Sequence, residues 1–320
     1  MSGNLSEEKM KMKVITLTLN PAYDLHCYAE SFSAGRENLA RMISSDAGGK
    51  GVNISRALLA GGVDNTALVV LGDENGDSFA KALRKDGLSL RLIGVEGRIR
   101  ENITVHTAQG TETRLSFSGF SADESLLERV FSELDSKLSG DSIVTFTGRV
   151  PEGISATAVK GFLEKITSRG ARLVIDSKSV SLADIIEIKP WLIKPNGEEI
   201  SEYLGRKVDS FEEVRSAAEE IHLAGVENVM VSLGEQGAML ICPDGGFVAT
   251  PPRITPRSTI GAGDSTVAGF IAAQTLDGSA ASRLALAVAY GTAACLTEGT
   301  KPLMEKDISE IFKAVSIKAI

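Results

Sequence analysis

Short apolar, β-branched runs alternate with amphipathic stretches along almost the entire chain. Six of these runs have the length and composition of buried strands: 14–19, 66–71, 142–147, 172–176, 191–194 and 228–233. Seven stretches have helical periodicity: 51–60, 75–85, 125–138, 156–168, 211–223, 264–276 and 280–296. Parallel strands need long crossover connections, which helices usually supply. The alternation therefore predicts an α/β fold in which a mostly parallel sheet is covered by helices on both faces.

Two segments, at about 22–47 and 92–120, interrupt the alternation. In the second, the runs 102–108 and 112–117 flank a Gln-Gly-Thr turn at 109–111 and predict a hairpin. The two segments are far apart in sequence and carry polar residues at alternating positions. We therefore expect them to form a small antiparallel sheet that covers the mouth of the main domain as a lid. An ordinary surface hairpin is the alternative.

Composition excludes several classes of protein. The 320 residues carry a formal net charge of −8, and no cluster of lysine and arginine is dense enough to follow a nucleic-acid backbone. The longest apolar stretch, about 284–296, contains a glycine and is too short to cross a bilayer. Three cysteines without Cys-x-x-Cys spacing indicate neither a disulfide framework nor a zinc site. We expect a cytoplasmic protein that binds neither nucleic acid nor membrane, with one domain at 13–320 behind a disordered polar leader at 1–12.

A glycine-rich turn, Gly261-Ala262-Gly263, delivers the Asp264 carboxylate to a predicted helix start. The first turn of a helix leaves its N–H groups free, and the helix dipole adds positive potential there. Such a turn can hold a transferring phosphoryl group while Asp264 takes a proton from an attacking hydroxyl. The same residues could instead form a tight turn with Asp264 as a helix N-cap.

Two further segments could bind anions. The segment 47–53, Ala-Gly-Gly-Lys-Gly-Val-Asn, brings flexible backbone and the Lys50 charge to a second predicted helix start. It is not a Walker A loop, because a glycine rather than Ser or Thr follows the lysine. Arg98 and Arg100 share one face of a predicted strand, and a guanidinium can bind a phosphate through two hydrogen bonds. A flexible turn and solvated side chains are the alternatives.

Two motifs follow predicted strands, at the edge where open α/β sheets bind ligands. Asn196 and Glu199 lie three residues apart, and their side chains could orient a hydrated Mg²⁺. They could equally form a capping box at a helix N-terminus. The segment 232–237, Ser-Leu-Gly-Glu-Gln-Gly, permits close approach to nucleotide phosphates, or it is a plain β-turn.

In this order the motifs resemble the ribokinase-like phosphofructokinase-B family of sugar kinases. The strongest match is 259–269, supported by 47–53, 194–199 and 232–237, while 18–24, Thr-Leu-Asn-Pro-Ala-Tyr-Asp, resembles the branch that acts on phosphosugars. The resemblance implies a three-layer αβα sandwich with a small β-sheet lid. It also implies transfer of a phosphoryl group from ATP to the C6 hydroxyl of fructose 1-phosphate. A tagatose-6-phosphate kinase, another sugar kinase and a non-catalytic sugar-phosphate sensor are the alternatives.

The resemblance also implies roles for particular residues. Asp264 would be the base, beside an anion hole formed by Gly261, Ala262 and Gly263. The acceptor sugar would meet Asp24, Gly48, Gly49, Lys50, Asn53, Arg100 and Asn102, with Lys50 and Arg100 on its phosphate. ATP would meet Lys194, Asn196, Ser232, Gly234 and Gly237, with Glu199 close to Mg²⁺ through water. Relatives pair their lid sheets between subunits, which suggests a homodimer.

Two positions depart from the pattern of the family. Thr-Gly-Arg-Val-Pro at 147–151 stands where relatives usually have Ser-Gly-Ser-Leu-Pro, and Lys178 stands where a small residue is common. Both changes add positive charge close to the predicted cleft. They bear on which sugar is preferred and on whether a further phosphate is bound.

Overall fold

A computed structural model describes residues 12–276 and 278–320. The predicted leader at 1–12 lies outside the described residues except for Met12. The strands are β1 (Lys13–Thr18), β2 (Ala22–Ala29), β3 (Ala40–Gly48), β4 (Asn65–Gly72), β5 (Leu90–Val95), β6 (Arg100–Thr107), β7 (Glu112–Ser116), β8 (Ser142–Thr147), β9 (Arg172–Asp176), β10 (Leu192–Ile193), β11 (Asn228–Ser232), β12 (Ala238–Cys242), β13 (Gly245–Thr250) and β14 (Ser316–Ala319). The helices are α1 (Lys50–Ala60), α2 (Gly76–Lys85), α3 (Ser125–Asp135), α4 (Ala156–Ser168), α5 (Leu182–Ile188), α6 (Gly197–Leu204), α7 (Phe211–Leu223), α8 (Ala262–Gln274), α9 (Ala280–Ala294) and α10 (Glu305–Ala314).

The main sheet has ten strands in the order β14-β13-β12-β11-β10-β9-β8-β1-β4-β5. The strands from β11 to β5 in this order pair in parallel, and β12, β13 and β14 extend one edge with antiparallel pairing. The predicted mostly parallel sheet is confirmed. The three antiparallel edge strands were not predicted; β14 is exposed throughout and gives no apolar pattern, whereas β12 is an apolar, buried strand that was overlooked.

Helices cover both faces of this sheet, as the sandwich requires. Helices α2 to α7 pack on one face and α1, α8, α9 and α10 on the other. Neighbouring residues of β8 show the division, since Ile143 joins one buried cluster and Val144 the other. None of the described helices has the length and apolar character needed to cross a membrane.

Helices α8 and α9 approach each other unusually closely. A Cβ atom at Gly269 would lie 2.7 Å from the Leu286 carbonyl oxygen, and one at Gly291 would lie 2.3 Å from the Thr266 hydroxyl. Small residues at these positions therefore allow the backbones to touch. This contact fixes the N-terminal end of α8, where Asp264 lies.

A separate four-stranded sheet has the order β3-β2-β6-β7. Its outer pairs are antiparallel, but the central pair β2–β6 is parallel, with Asp24 opposite Asn102. The prediction of a wholly antiparallel small sheet is therefore wrong at its centre. Strands β2 and β6 follow β1 and β5, two parallel strands of the main sheet, so both emerge from the same edge in the same direction.

The predicted second segment of the small sheet also begins too early. Residues 92–95 belong to β5, which pairs in parallel with β4 in the main sheet. Only β6 and β7 from this segment enter the small sheet. An edge strand with exposed alternate residues has the same sequence pattern as a strand of the small sheet, which explains the error.

Candidate active site

Asp264 lies in the first turn of α8, at the carboxyl edge of the parallel strands. The helix begins at Ala262, and Gly261 is its N-cap with φ of 79°, in the left-handed region that favours glycine. Asp264 is therefore the third helical residue and not the N-cap. Its side chain is buried, and its Oδ2 accepts a hydrogen bond of 2.8 Å from Asn53 Nδ2.

The turn before Asp264 presents open backbone donors. In the described part of the chain, the N–H groups of Gly261, Gly263 and Asp264 make no hydrogen bond. The N–H of Ala262 is already engaged, since it donates to the Thr259 carbonyl at 3.3 Å. Of the three amides in the predicted anion hole, those of Gly261 and Gly263 are open, and the Asp264 amide is open beside them.

Lys194 adds positive charge to this turn. A Cβ atom at Gly263 would lie 3.4 Å from the Lys194 Nζ, so the ammonium lies directly beside the open amides. Lys194 is itself buried, although it carries a charge. A buried cation beside free N–H groups creates strong positive potential for an anion.

Asp176 is a site residue that the sequence analysis missed. It ends β9, is buried, and contacts two lysines: its Oδ1 lies 3.1 Å from Lys50 Nζ and its Oδ2 lies 3.7 Å from Lys194 Nζ. Oδ2 makes no hydrogen bond with the described residues. The available signal was an acidic residue at the end of a buried strand, the edge at which such sheets bind ligands.

The charges around Asp264 change its acidity. Burial and the nearby Asp176 carboxylate raise its pKa to about 6, although Asn53, Lys50 and Lys194 oppose the shift. Burial alone would lower the pKa of Lys50, but the carboxylates of Asp176 and Asp264 raise it. The site therefore holds two carboxylates and two ammonium groups that balance each other.

The predicted acceptor residues come together where the small sheet meets α1. Asn102 Nδ2 donates to Asp24 Oδ1 at 2.8 Å. A Cβ atom at Gly48 would lie 3.0 Å from Asp24 Oδ2, and Gly49 has φ of 134° with Thr18 only 2.6 Å from its would-be Cβ. Glycine at 48 therefore keeps the Asp24 carboxylate uncrowded, and glycine at 49 avoids a clash with Thr18. α1 starts directly afterwards, at Lys50.

Arg100 and Lys50 have different neighbours, although the sequence analysis placed both on one phosphate. The Arg100 guanidinium is half-buried, and its pKa is lowered by burial and by the positive charges of Arg149 and Arg114. Its Nε has no partner among the described residues. Arg114 Nη2 lies 3.7 Å from Asp24 Oδ1. Arg114 escaped prediction because only the pairing of β6 with β7 brings it close to the site.

The predicted nucleotide residues line a cavity of about 1030 Å³ beside the Asp264 turn. Its lining includes Asn196, Ser232, Gly234, Gly237, Ala262 and Gly263. Lys194 does not line the cavity but reaches the same turn from behind Gly263. Glycine at 237 is required, because its φ is 98° and a Cβ atom there would lie 2.0 Å from the Ala249 carbonyl oxygen.

Asn196 and Glu199 form the capping box that was the alternative interpretation of this motif. Asn196 Oδ1 accepts from the Glu199 N–H at 2.8 Å, and Glu199 Oε2 accepts from the Asn196 N–H at 3.1 Å. Glu199 Oε1 accepts no hydrogen bond from the described residues. One carboxylate oxygen thus stays available, which fits a Mg²⁺ ion held through water, because Mg²⁺ prefers oxygen ligands and retains several waters.

A buried carboxylate beside open amides and two lysines, at the carboxyl edge of a parallel sheet, is an arrangement suited to phosphoryl transfer onto a hydroxyl. These features are those of a small-molecule kinase. Residues 13–307 match the model of the pfkB family carbohydrate kinases, and the chain belongs to this family.

Similar proteins with assigned activities share the length of this chain. The 1-phosphofructokinase of Escherichia coli strain K12 is 33% identical over 285 residues, which cover 89% of this chain and 91% of that protein. The 1-phosphofructokinase of Rhodobacter capsulatus is 32% identical over 313 residues, which cover 97% of this chain and 99% of that protein. The structure of phosphofructokinase-2 of E. coli in complex with potassium has a TM-score of 0.89 at 27% identity. The match covers 95% of this chain and 99% of that one. A tetrameric inhibited form of that enzyme is also similar, with a TM-score of 0.86 at 26% identity over 95% and 99%.

Proposed function

We propose that this chain transfers the γ-phosphoryl group of ATP to the C6 hydroxyl of fructose 1-phosphate, the activity of a 1-phosphofructokinase. The observation that carries the proposal is the Asp264 carboxylate, buried beside open amides at the start of α8. The similarity to two proteins of this activity supports the choice of sugar. Tagatose 6-phosphate is the alternative acceptor.

In the proposed reaction, Asp264 is the general base. The C6 hydroxyl gives its proton to the carboxylate as its oxygen bonds to the γ-phosphorus. The bond from that phosphorus to the β–γ bridging oxygen breaks, and ADP leaves. A pKa of about 6 leaves Asp264 ionised at neutral pH and still basic enough to accept a proton.

The amides of Gly261 and Gly263, together with Lys194, would stabilise the charge on the transferring group. Asn53 would hold the Asp264 carboxylate in position through its hydrogen bond. The contacts of Lys50 with Asp176 support a role at the reaction centre rather than at the phosphate of the sugar.

The remaining groups would bind the two substrates. Asp24 and Asn102 would bind sugar hydroxyls, and Arg100 would bind the phosphate of the sugar. Ser232, Gly234 and Gly237 would contact the nucleotide along with Asn196. Glu199 would hold Mg²⁺ through water, and the ion when bound neutralises charge on the ATP phosphates.

We also infer that residues 13–320 form one catalytic domain, because β1 and β14, from opposite ends of the chain, share one sheet. The small sheet would act as a lid and as a homodimer interface. Support for the dimer comes from exposed apolar side chains on and beside it: Leu39, Met42, Ile43, Leu115 and Phe117. We propose a cytoplasmic location, because the three cysteines show no disulfide framework and fit a reducing compartment.

A coupled ATP-dependent assay over a panel of sugars tests the proposal. The panel contains fructose 1-phosphate, tagatose 6-phosphate, fructose 6-phosphate and free fructose, with Asp264→Asn as the inactive control. We expect the highest kcat/KM with fructose 1-phosphate. A higher value with tagatose 6-phosphate would support the other kinase, and binding of a phosphosugar without turnover on any of them would support a sensor.

A further inference from the structure

Two positive residues, Arg149 and Lys178, depart from the pattern of the family, and they have different surroundings in the structure. Lys178 Nζ lies 3.2 Å from Glu202 Oε2, and both side chains are exposed, so its charge is neutralised at the surface. Arg149 is also exposed, but in the described part of the chain it pairs with no carboxylate. Some exposed arginines, such as Arg169 and Arg206, have acidic partners, and others, such as Arg36 and Arg253, have none among the described residues. What distinguishes Arg149 is therefore its position and not its lack of a partner.

The backbone on both sides of Arg149 is fixed. The Gly148 N–H donates to the Asp176 carbonyl at 3.1 Å, and the Val150 carbonyl accepts from Asn20 Nδ2 at 3.3 Å. A Cβ atom at Gly148 would lie 3.8 Å from Lys50 Cβ, so the loop rests on the first residue of α1. The loop is therefore held against the site while the side chain of Arg149 stays free.

Asn20 connects this loop to Arg100. A Cβ atom at Gly119 would lie 3.3 Å from Asn20 Oδ1 and 3.2 Å from Arg100 Cβ, so Asn20 lies between the two arginine-bearing segments. Burial lowers the pKa of the Arg100 guanidinium, and the nearby positive charge of Arg149 lowers it further. Asn20 Oδ1 and Arg100 Nε are both buried without partners among the described residues.

Arg114 thus lies 3.7 Å from the Asp24 Oδ1 that already accepts from Asn102, and Arg100 lies close enough to Asp24, Arg114 and Arg149 for their charges to act on it. Such a concentration of like charge is unfavourable without an anion and becomes favourable when a phosphate dianion binds. Arginine is better suited than lysine to this role, because its planar donors match the phosphate oxygens.

We propose that Arg149 is a specificity-determining residue that, together with Arg100 and Arg114, binds the phosphate group already present on the acceptor sugar. The inference rests on the proposed function, since it assumes a phosphosugar in the acceptor site. It makes the loop after β8 a recognition element for phosphorylated over free sugars. Serine, the residue that relatives usually have here, offers a single hydroxyl and no charge.

The test compares Arg149→Ser, Arg149→Lys and the matched control Lys178→Ala in steady-state kinetics. We expect Arg149→Ser to raise the KM for fructose 1-phosphate by about 10-fold to 100-fold, as loss of a charge-assisted contact does. Its kcat and its KM for ATP should change by less than about twofold, since the residue acts in binding alone. The KM of Arg149→Lys for fructose 1-phosphate should lie between those of the wild type and of Arg149→Ser. The KM of Lys178→Ala should match that of the wild type.

Several results would overturn the inference. They are an unchanged KM for fructose 1-phosphate in Arg149→Ser, a rise confined to the KM for ATP, or an equal loss with free fructose. Thermal melting checks that each variant is folded. If a variant at position 149 is not folded, Arg149→Gln takes its place in the comparison. If the wild type prefers another phosphosugar, the proposed substrate fails, but an Arg149→Ser penalty on that sugar still supports the inference. If no sugar is turned over, calorimetric binding of fructose 1-phosphate to both proteins decides: weaker binding to the variant supports the inference, and equal binding rejects it.

Discussion

The reaction centre and the rim of the acceptor site use charge in opposite ways. Around Asp264 the charges are balanced, with two carboxylates against two lysines; Asp264, Asp176 and Lys194 are buried, whereas the Lys50 side chain is 39% exposed. At the rim, the charges of Arg114 and Arg149 act on Arg100, with Asp24 as the one carboxylate that opposes them, and the Arg114 side chain is 58% exposed. Buried balanced charge is organised before substrate arrives, at a cost in desolvation, whereas exposed surplus charge is completed by the substrate. We therefore expect changes at the centre to alter kcat and changes at the rim to alter KM.

The largest effect should come from Asp264→Asn. An amide cannot accept the proton of the C6 hydroxyl, so kcat should fall by about 10³-fold or more with little change in KM for either substrate. Single-turnover and steady-state assays measure this. Turnover equal to that of the wild type would remove Asp264 from the role of base.

The same substitution should stabilise the fold. The pKa of Asp264 is raised from 3.8 to about 6, so the native state loses stability as pH rises through that interval, because ionising the buried carboxyl is unfavourable. At neutral pH the asparagine variant avoids this loss, which is on the order of 2–3 kcal/mol. Denaturant unfolding at pH 7.5 and at pH 4 checks the sign, since the gain should shrink at the lower pH. A variant that is both inactive and less stable would indicate structural damage instead.

A smaller effect is expected for Asp176→Asn. Lys50 and Lys194 lose the carboxylate that both contact, so kcat should fall by roughly 10-fold to 100-fold. Asp176 also raises the pKa of Asp264, so the acid limb of the kcat/KM profile, expected near pH 6 in the wild type, should move to lower pH.

The position of the limb separates the two contributions of Asp176. A merely structural role would lower the whole profile without moving it. Ser177→Ala, one residue further on, serves as the control and should leave the limb in place. An unmoved limb in Asp176→Asn would mean that Asp176 does not influence the base.

Lys50→Ala tests whether this lysine belongs to the centre or to the rim. Its sequence motif predicts a contact with the sugar phosphate, and removal of that contact should raise the KM for the sugar. Its 3.1 Å contact with Asp176 instead leads us to expect a fall in kcat of about 10-fold, with a smaller change in KM. Arg100→Ala is the comparison variant. It should raise the KM for fructose 1-phosphate and leave kcat unchanged. The reverse pattern would place Lys50 on the rim.

The sequence singled out residues in local motifs more readily than residues that strand order brings together, and the reason is physical. Asp264, Asn53 and Lys194 lie in or beside local motifs at the ends of strands and helices, where backbone geometry follows from a few neighbouring residues. Arg114 and Asp176 belong to no such motif. Their positions depend on which strands become neighbours, a long-range property that local patterns do not encode.

The fold shows the same limit. Apolar periodicity predicted most buried strands and seven of the helices to within a few residues, because burial imposes that periodicity. It missed the helices α5, α6 and α10 and the strands β12, β13 and β14, although β12 is buried throughout. It also could not give the parallel pairing of β2 with β6, because both pairings share the same alternation.

The smallest expected effect is the response to salt, and it bears directly on the difference between centre and rim. Charges exposed to solvent are screened over about 10 Å at 0.1 M ionic strength and about 3 Å at 1 M, while buried pairs are screened far less. Raising KCl should therefore increase the KM for fructose 1-phosphate several-fold and leave kcat almost unchanged. In Arg149→Ser the salt dependence of KM should be weaker, because one of the exposed charges is gone, whereas in Lys178→Ala it should equal that of the wild type. Potassium glutamate at matched ionic strength controls for competition by chloride. If kcat fell with salt as steeply as KM rose, the buried centre would be open to ions, and its balanced charges would be no more protected than those of the rim.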